Sequence, residues 1–164
     1  MLDSAQLEQE IAALVHFVEP YVSKCYFREL PEGFATPSVF FPPPEVDGVE
    51  HSLSAYANEF ALFMKVFDRD SIGAYAIASK IVEDIQNHRK RIPLYDEKGE
   101  ITGKNFRVTK LNAKIIDVGV AQIAVEWKTL TAYDEEIYTK AKDFYYSGLA
   151  TSKVKEELDG TESG

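Results

Sequence analysis

Side chains able to do acid–base, nucleophilic or metal chemistry are few in this chain and stand apart. Histidine occurs only at His16, His51 and His88. The His-Glu-x-x-His arrangement by which one helix face holds a metal is absent, so all three read as ordinary polar or half-buried histidines. Cys25 is the single cysteine. It can form no intramolecular disulfide and no cysteine-held zinc site, and a lone cysteine is more often a small hydrophobe than a nucleophile. Gly99 and Gly103 lie near Lys98 and Lys104, but "GKNF" lacks the hydroxyl of a phosphate loop and leads into a strand. Asp68 and Asp70 in "DRD", and Asp134 to Glu136 in "YDEE", could hold a cation or open a helix, and the helix start is the favoured reading. Base stacking needs exposed aromatics beside cations, for which only Tyr95 and Phe106 are candidates. No catalytic, metal or cofactor-binding residue and no cofactor is therefore expected, and the chain is read as a non-enzyme.

Charge is more informative. The chain holds 18 Lys and Arg against 27 Asp and Glu, a formal charge of −9. Yet Arg89, Lys90 and Arg91 are adjacent, with Lys98, Lys104 and Arg107 close behind. A nucleic-acid patch, a solvated helix end, or a surface that meets an acidic partner would each explain the cluster. Phosphate binding rests on cation contacts that release counterions, and a strongly acidic protein opposes it. Such a protein does suit a passage through which DNA slides without sticking. Acids gather elsewhere, at Glu45, Asp47 and Glu50, immediately after Pro42, Pro43 and Pro44. Both segments are candidates for contact between subunits: Arg89, Lys90, Arg91, Lys98 and Lys104 at a subunit interface, and Pro42 to Glu45, Asp47 and Glu50 against a neighbouring copy or a second protein.

The elements that must carry these residues follow from periodicity. The 164 residues, 45% hydrophobic and 27% charged, suit one domain, assigned to residues 1–150. Residues 151–164 hold four acids, two lysines and few apolar side chains, and read as a flexible acidic tail. No stretch resembles a membrane span or a signal peptide, so a soluble protein with no membrane contact is expected. Leu7, Ile11, Leu14, Val15 and Val18 recur at helical spacing, from an Asp3 or Ser4 cap to Pro20. Ala74, Ile77, Ala78, Ile81, Val82 and Ile85 mark a second helix, ending in the Asn87–Arg91 run. "YVSKCYFREL", Ser38–Phe41, "SLSAYANEFALFMKVFD", "KNFRVTKLNAKIID" and "GVAQIAVEWKTLTAY" read as strands, with a hairpin over "IPLYDEKGEITG". The proline run and the residues up to Ser52 read as a long exposed loop. A third, short helix is expected from Tyr133. The fold class is α+β: an antiparallel sheet of about four main strands with helices packed against it, a β-hairpin and a long proline-rich loop.

Four stretches carry a resemblance: "PSVFFPPPE", "EFALFMKVFDRDSIGAYAIASKI", "RIPLYDEKGEITGKNFRV" and "DVGVAQIAVEWKTLTAYDEE", spread over Pro37 to Tyr146. Their order resembles the tail terminator, or tail completion, proteins of long-tailed phages and phage-tail-like particles. The resemblance implies a homohexameric ring that caps the head-proximal end of the tail tube. It implies as partners other copies of the chain, the tail tube protein, neck or connector proteins and, in a contractile tail, the sheath protein. DNA would only pass through the lumen. It further implies residence in the virion tail after assembly in the host cytoplasm, without enzymatic step or cofactor. A head-completion or neck connector subunit is the alternative, and a small nucleic-acid-binding domain a more distant one.

Overall fold

Burial of two amphipathic helices against one face of a seven-stranded sheet organises the computed structural model, which describes residues 4–134. Helix α1, Ser4–Val18, buries Ala13, Leu14, Val15 and Val18, with Leu7 and Ile11 half-buried. It tightens into a 3-10 turn at Glu19–Tyr21, where Pro20 has no N–H to continue an α-helical ladder. Strand β1, Lys24–Phe27, is shorter than the expected stretch, while β2, Ser38–Phe41, has the expected limits. The two pair in parallel, Lys24 against Ser38, so the sheet is not wholly antiparallel. A parallel pair needs a crossover, and the chain from Arg28 to Pro37, turned by left-handed Arg28 at φ 63°, supplies one.

The proline stretch corrects the expected loop. Only Pro42–Pro44 interrupt the pairing; Glu45–Glu50 form strand β3, antiparallel to β4, Ala55–Phe67. Strands β2 and β3 follow one another along the same edge of β4. Phe40 faces Lys65 and Glu45 faces Ala61, so five steps on one strand match four on the other. The prolines, unable to donate ladder bonds, thus form a one-residue bulge within an edge. Acidic composition argued against a strand here, but all six residues of β3 are exposed, so the pairing buries no charge.

Helix α2, Ser71–Asn87, starts at Asp70, whose Oδ1 accepts from the Gly73 N–H at 2.6 Å. Ala74, Ala78, Ile81 and Ile85 are its buried stripe. Strand β5, Arg91–Tyr95, and strand β6, Ile101–Asp117, make the expected hairpin, but β6 runs unbroken for 17 residues instead of starting afresh at Lys104. Its first half pairs with β5 and its second with β7, Val120–Ala132. Strands β4 and β7 are the longest pair, in register from Ala55 against Ala132 to Phe67 against Val120. The strand order is β1-β2-β4-β7-β6-β5, with β3 also on β4. About four main strands were expected; the short edge strands β1, β3 and β5 make the difference. The helix expected from Tyr133, the 150/151 boundary and the acidic tail lie outside the described residues.

The core is continuous between the helices and one side of each long strand. Phe60, Leu62, Met64 and Val66 of β4 meet Ala121, Ile123, Val125 and Trp127 of β7. Trp127 is 1% exposed and stacks on Phe60 with ring centroids 5.4 Å apart.

Candidate interaction surfaces

The basic cluster begins where α2 ends. Arg89 N–H donates to Gln86 O at 2.8 Å and Lys90 N–H to Ile85 O at 2.9 Å, the bond pair of a Schellman cap. Arg89 occupies the left-handed position that glycine usually fills, at φ 57°, and Lys90 follows at φ 59°. The expectation that these cations stand in the last helical turn is corrected: that turn holds no base, and they follow the cap. Arg91 opens β5 and lies directly opposite Arg107 of β6. Both are exposed, and like charges directly opposite destabilise a strand pair. Lys98 stands at the hairpin tip, where Asp96 Oδ1 accepts from the Lys98 and Glu100 N–H groups at 2.9 Å each. Lys104 is exposed on β6. Arg89, Lys90, Arg91, Lys98 and Lys104 thus belong to one continuous turn and hairpin. Arg107 joins them, a cross-strand relation hidden from the sequence by the register shift between Pro93 and Tyr95.

The acidic segment forms the opposite part of the sheet. Glu45 and Asp47 point to the face away from the helices, beside Ala61 and Glu59 of β4, while Glu50 lies opposite Tyr56 on the other face. Asp47 and Glu59 are again like charges directly opposite. Lys128 of β7 reaches Glu59 at 3.8 Å, and Lys110 reaches Glu126 at 3.5 Å. Among the described residues, Glu45, Asp47 and Glu50 take part in no ion pair, and neither do Arg89, Lys90, Arg91, Lys98, Lys104 and Arg107. Pro42–Pro44, with Phe27, Phe41 and α1 residues Leu7, Ile11 and Val15, line an apolar groove of about 510 Å³.

The scattered chemical residues stay scattered. His16 packs on Tyr95 with the rings tilted by 38° and lies 3.8 Å from Glu19, and His88 Nδ1 lies 2.8 Å from Asp84 O, while His51 is exposed. Among the described residues no group of His, Cys, Asp and Glu could hold a metal. Burial, then the Glu19 carboxylate, push the Cys25 thiol up to about 11, far from an activated nucleophile. Phe106 is buried against Trp127, and half-buried Tyr95 is occupied by His16, so neither is a free stacking platform. One buried polar contact was missed in the sequence: Trp127 Nε1 donates to Glu10 Oε2 at 2.7 Å, with Glu10 1% exposed. Its only sequence signal is a glutamate within the apolar stripe of α1.

No family model matches the chain. Sequence relatives do. One is the phage-like element PBSX protein XkdJ of Bacillus subtilis (strain 168), 33% identical over 108 residues, 66% of this chain and 74% of that protein. Another is the uncharacterized protein YqbJ of the same organism, 30% identical over 132 residues, 79% of this chain and 90% of that protein. Among solved structures, a chain from the virion of a native gene transfer agent particle aligns over 78% of this chain and 90% of its own length, with 13% identity and a TM-score of 0.41.

Proposed function

We propose that this chain, which belongs to the family of the phage-like element PBSX protein XkdJ, is a structural subunit of a phage or phage-like particle and, within it, the tail terminator. The observation that carries the structural role is the identity with XkdJ, spread over 74% of that relative. The finer assignment is supported by the four stretches from Pro37 to Tyr146 that resemble tail terminators. In this reading, copies close into a homohexameric ring on the head-proximal end of the tail tube, in the virion tail. The ring stops tube growth and offers surfaces to neck proteins, and to the sheath if the tail contracts. It takes no part in chemistry and needs no cofactor.

A ring of identical chains joins two different surfaces of one protein, which must complement each other. Acids on one sheet edge and cations on the opposite hairpin meet that requirement. The formal charge of −9 suits a lumen that lets DNA slide past. The test is light scattering coupled to size-exclusion chromatography, with electron micrographs of the protein alone and mixed with tail tubes. A six-chain mass, rings, and caps on one tube end are expected. A monomer at every concentration that leaves tube ends bare overturns the reading.

A further inference from the structure

We infer that β3 of one copy docks against the basic β5–β6 hairpin of the next, so that the acidic edge Glu45–Glu50 is covered by Arg91, Lys104 and Arg107. The inference rests on the self-assembly reading above and names the two surfaces it uses.

An uncovered sheet edge needs an explanation, because its free N–H and C=O groups invite pairing. At the far side of the sheet, α1 packs along β5 and Gln9 Nε2 donates to Tyr95 O at 3.0 Å, which covers part of that edge. On the near side β1 is only four residues long. Strand β3 is different. It has six residues, all exposed, and among the described residues β4 is its only strand partner. With no side chain buried, only its pairing to β4 holds it in place. Val46 and Val49 remain 43% and 37% exposed on it, and Ile101 remains 66% exposed on the hairpin. Apolar side chains ringed by charge are the composition of a contact surface.

Electrostatics selects the occupant. Each surface holds a like-charge pair directly across its strands: Asp47 with Glu59 on one, Arg91 with Arg107 on the other. Arg91 and Arg107 take part in no ion pair among the described residues, and Asp47–Glu59 has only Lys128, 3.8 Å from Glu59, so the opposite charge carried by the other surface would relieve both. Between Arg89 and Arg107 six cations outnumber three acids, an excess of three, and β3 has three acids and no cation. Two β3 edges repel each other, as do two basic hairpins, so a two-fold pairing of like edges is disfavoured. The acidic edge against the hairpin is the complementary choice, and it is heterologous, the kind that generates rings. Strand β3 lies off the main strand order, on the side of β4 away from β7, and the hairpin holds β5 at the end of that order. The two surfaces therefore lie on opposite sides of the β4–β7–β6 strands, and one subunit can engage a neighbour on each side. Nucleic acid would satisfy the cations but would leave the acidic edge uncovered.

Three experiments on the whole chain test this. In the first, wild-type protein is mixed in equal parts with its ¹⁵N-labelled form and treated with a carbodiimide, which joins carboxylates to amines without a spacer. Mass spectrometry is expected to find mixed-isotope links between the peptide holding Glu45, Asp47 and Glu50 and the peptide holding Lys104. Assemblies linked only through other peptides overturn the inference and leave the ring reading intact.

In the second, Glu45→Lys with Asp47→Lys forms one variant, and Lys104→Glu with Arg107→Glu forms the other. All four side chains are exposed, so both variants are expected to melt like wild type. Each alone should associate about tenfold more weakly or worse, since every boundary now opposes like charges. An equal mixture should recover assembly, because alternating copies restore complementary boundaries. Wild-type rings with unimpaired variants, or a mixture that fails to recover, overturn the inference alone. Wild-type protein that never assembles overturns the ring reading itself. Duplex DNA, followed by fluorescence anisotropy, is the third arm. Tight binding lost in the Lys104/Arg107 variant while its assembly is unchanged would make nucleic acid the partner of the hairpin and overturn the inference.

Discussion

Glu10 is a carboxylate where the core would accept an amide. Burial raises its pKa, and the hydrogen bonds from Trp127 and Gln6 only partly oppose that. A folded pKa above the unfolded value means that the native state binds the extra proton. The resulting stability is present below the ordinary carboxylate range and is lost as pH rises through the raised value. In Glu10→Gln the amide oxygen can still accept from the Trp127 indole, and nothing titrates. Melting temperatures followed from about pH 4 to about pH 7 should therefore move in the variant's favour as pH rises. A shift in wild type's favour would show that the ionised carboxylate is the better partner for the indole. Arg89 is the other residue at odds with its setting, a β-carbon in the left-handed position of a Schellman cap. Arg89→Gly should stabilise the subunit by about 0.5–1 kcal/mol in urea unfolding. No gain would mean that contacts of the arginine side chain within the subunit offset the strain.

At the scale of elements, the turn between β6 and β7 is locked onto the start of α2. Asp68 N–H donates to Gly119 O and Gly119 N–H to Ser71 Oγ, both at 3.0 Å. A β-carbon on Gly119, at φ 71°, would lie 2.8 Å from the Asp68 carbonyl oxygen. Gly119→Ala should cost about 1–3 kcal/mol, from strain and from displaced backbone. Gly48→Ala in β3, where a β-carbon meets nothing within 4 Å, should change stability by less than about 0.5 kcal/mol. Equal losses at both positions would remove the docking argument. These elements also mark how far the sequence could be read. Helices α1 and α2 and strands β2, β4 and β7 were legible because their apolar residues keep a period that burial imposes. Strand β3 was not: exposed on both faces, "EVDGVE" keeps no period, and its prolines signal an end rather than a bulge. The two charge clusters were legible as composition. The opposition of Arg91 to Arg107 and of Asp47 to Glu59 was not, because both depend on register, which bulges shift by one or two residues. The Glu10–Trp127 contact spans elements far apart in the chain, and no local pattern encodes it.

For the whole molecule, two electrostatic effects act in opposite directions on assembly. Each copy carries a formal charge of −9, so copies repel at long range. The proposed boundary sets cations against acids at contact, where attraction is short-ranged. Salt separates the two by distance. The screening length is about 30 Å at 0.01 M, about 10 Å at 0.1 M and about 3 Å at 1 M. At the lowest of these, repulsion between whole subunits is hardly screened and should limit association. Near 0.1 M that repulsion is largely removed while contacts of a few ångströms survive. At 1 M the contacts weaken as well, leaving the exposed valines and backbone pairing to hold the boundary. Assembly measured by sedimentation velocity should therefore pass through a maximum at intermediate salt. A steady rise up to 1 M would point to an apolar boundary in which the charges take no part. A steady fall from the lowest salt would mean that attraction at the boundary outweighs the net charge at every distance, and that −9 is spread over surfaces the neighbours never approach.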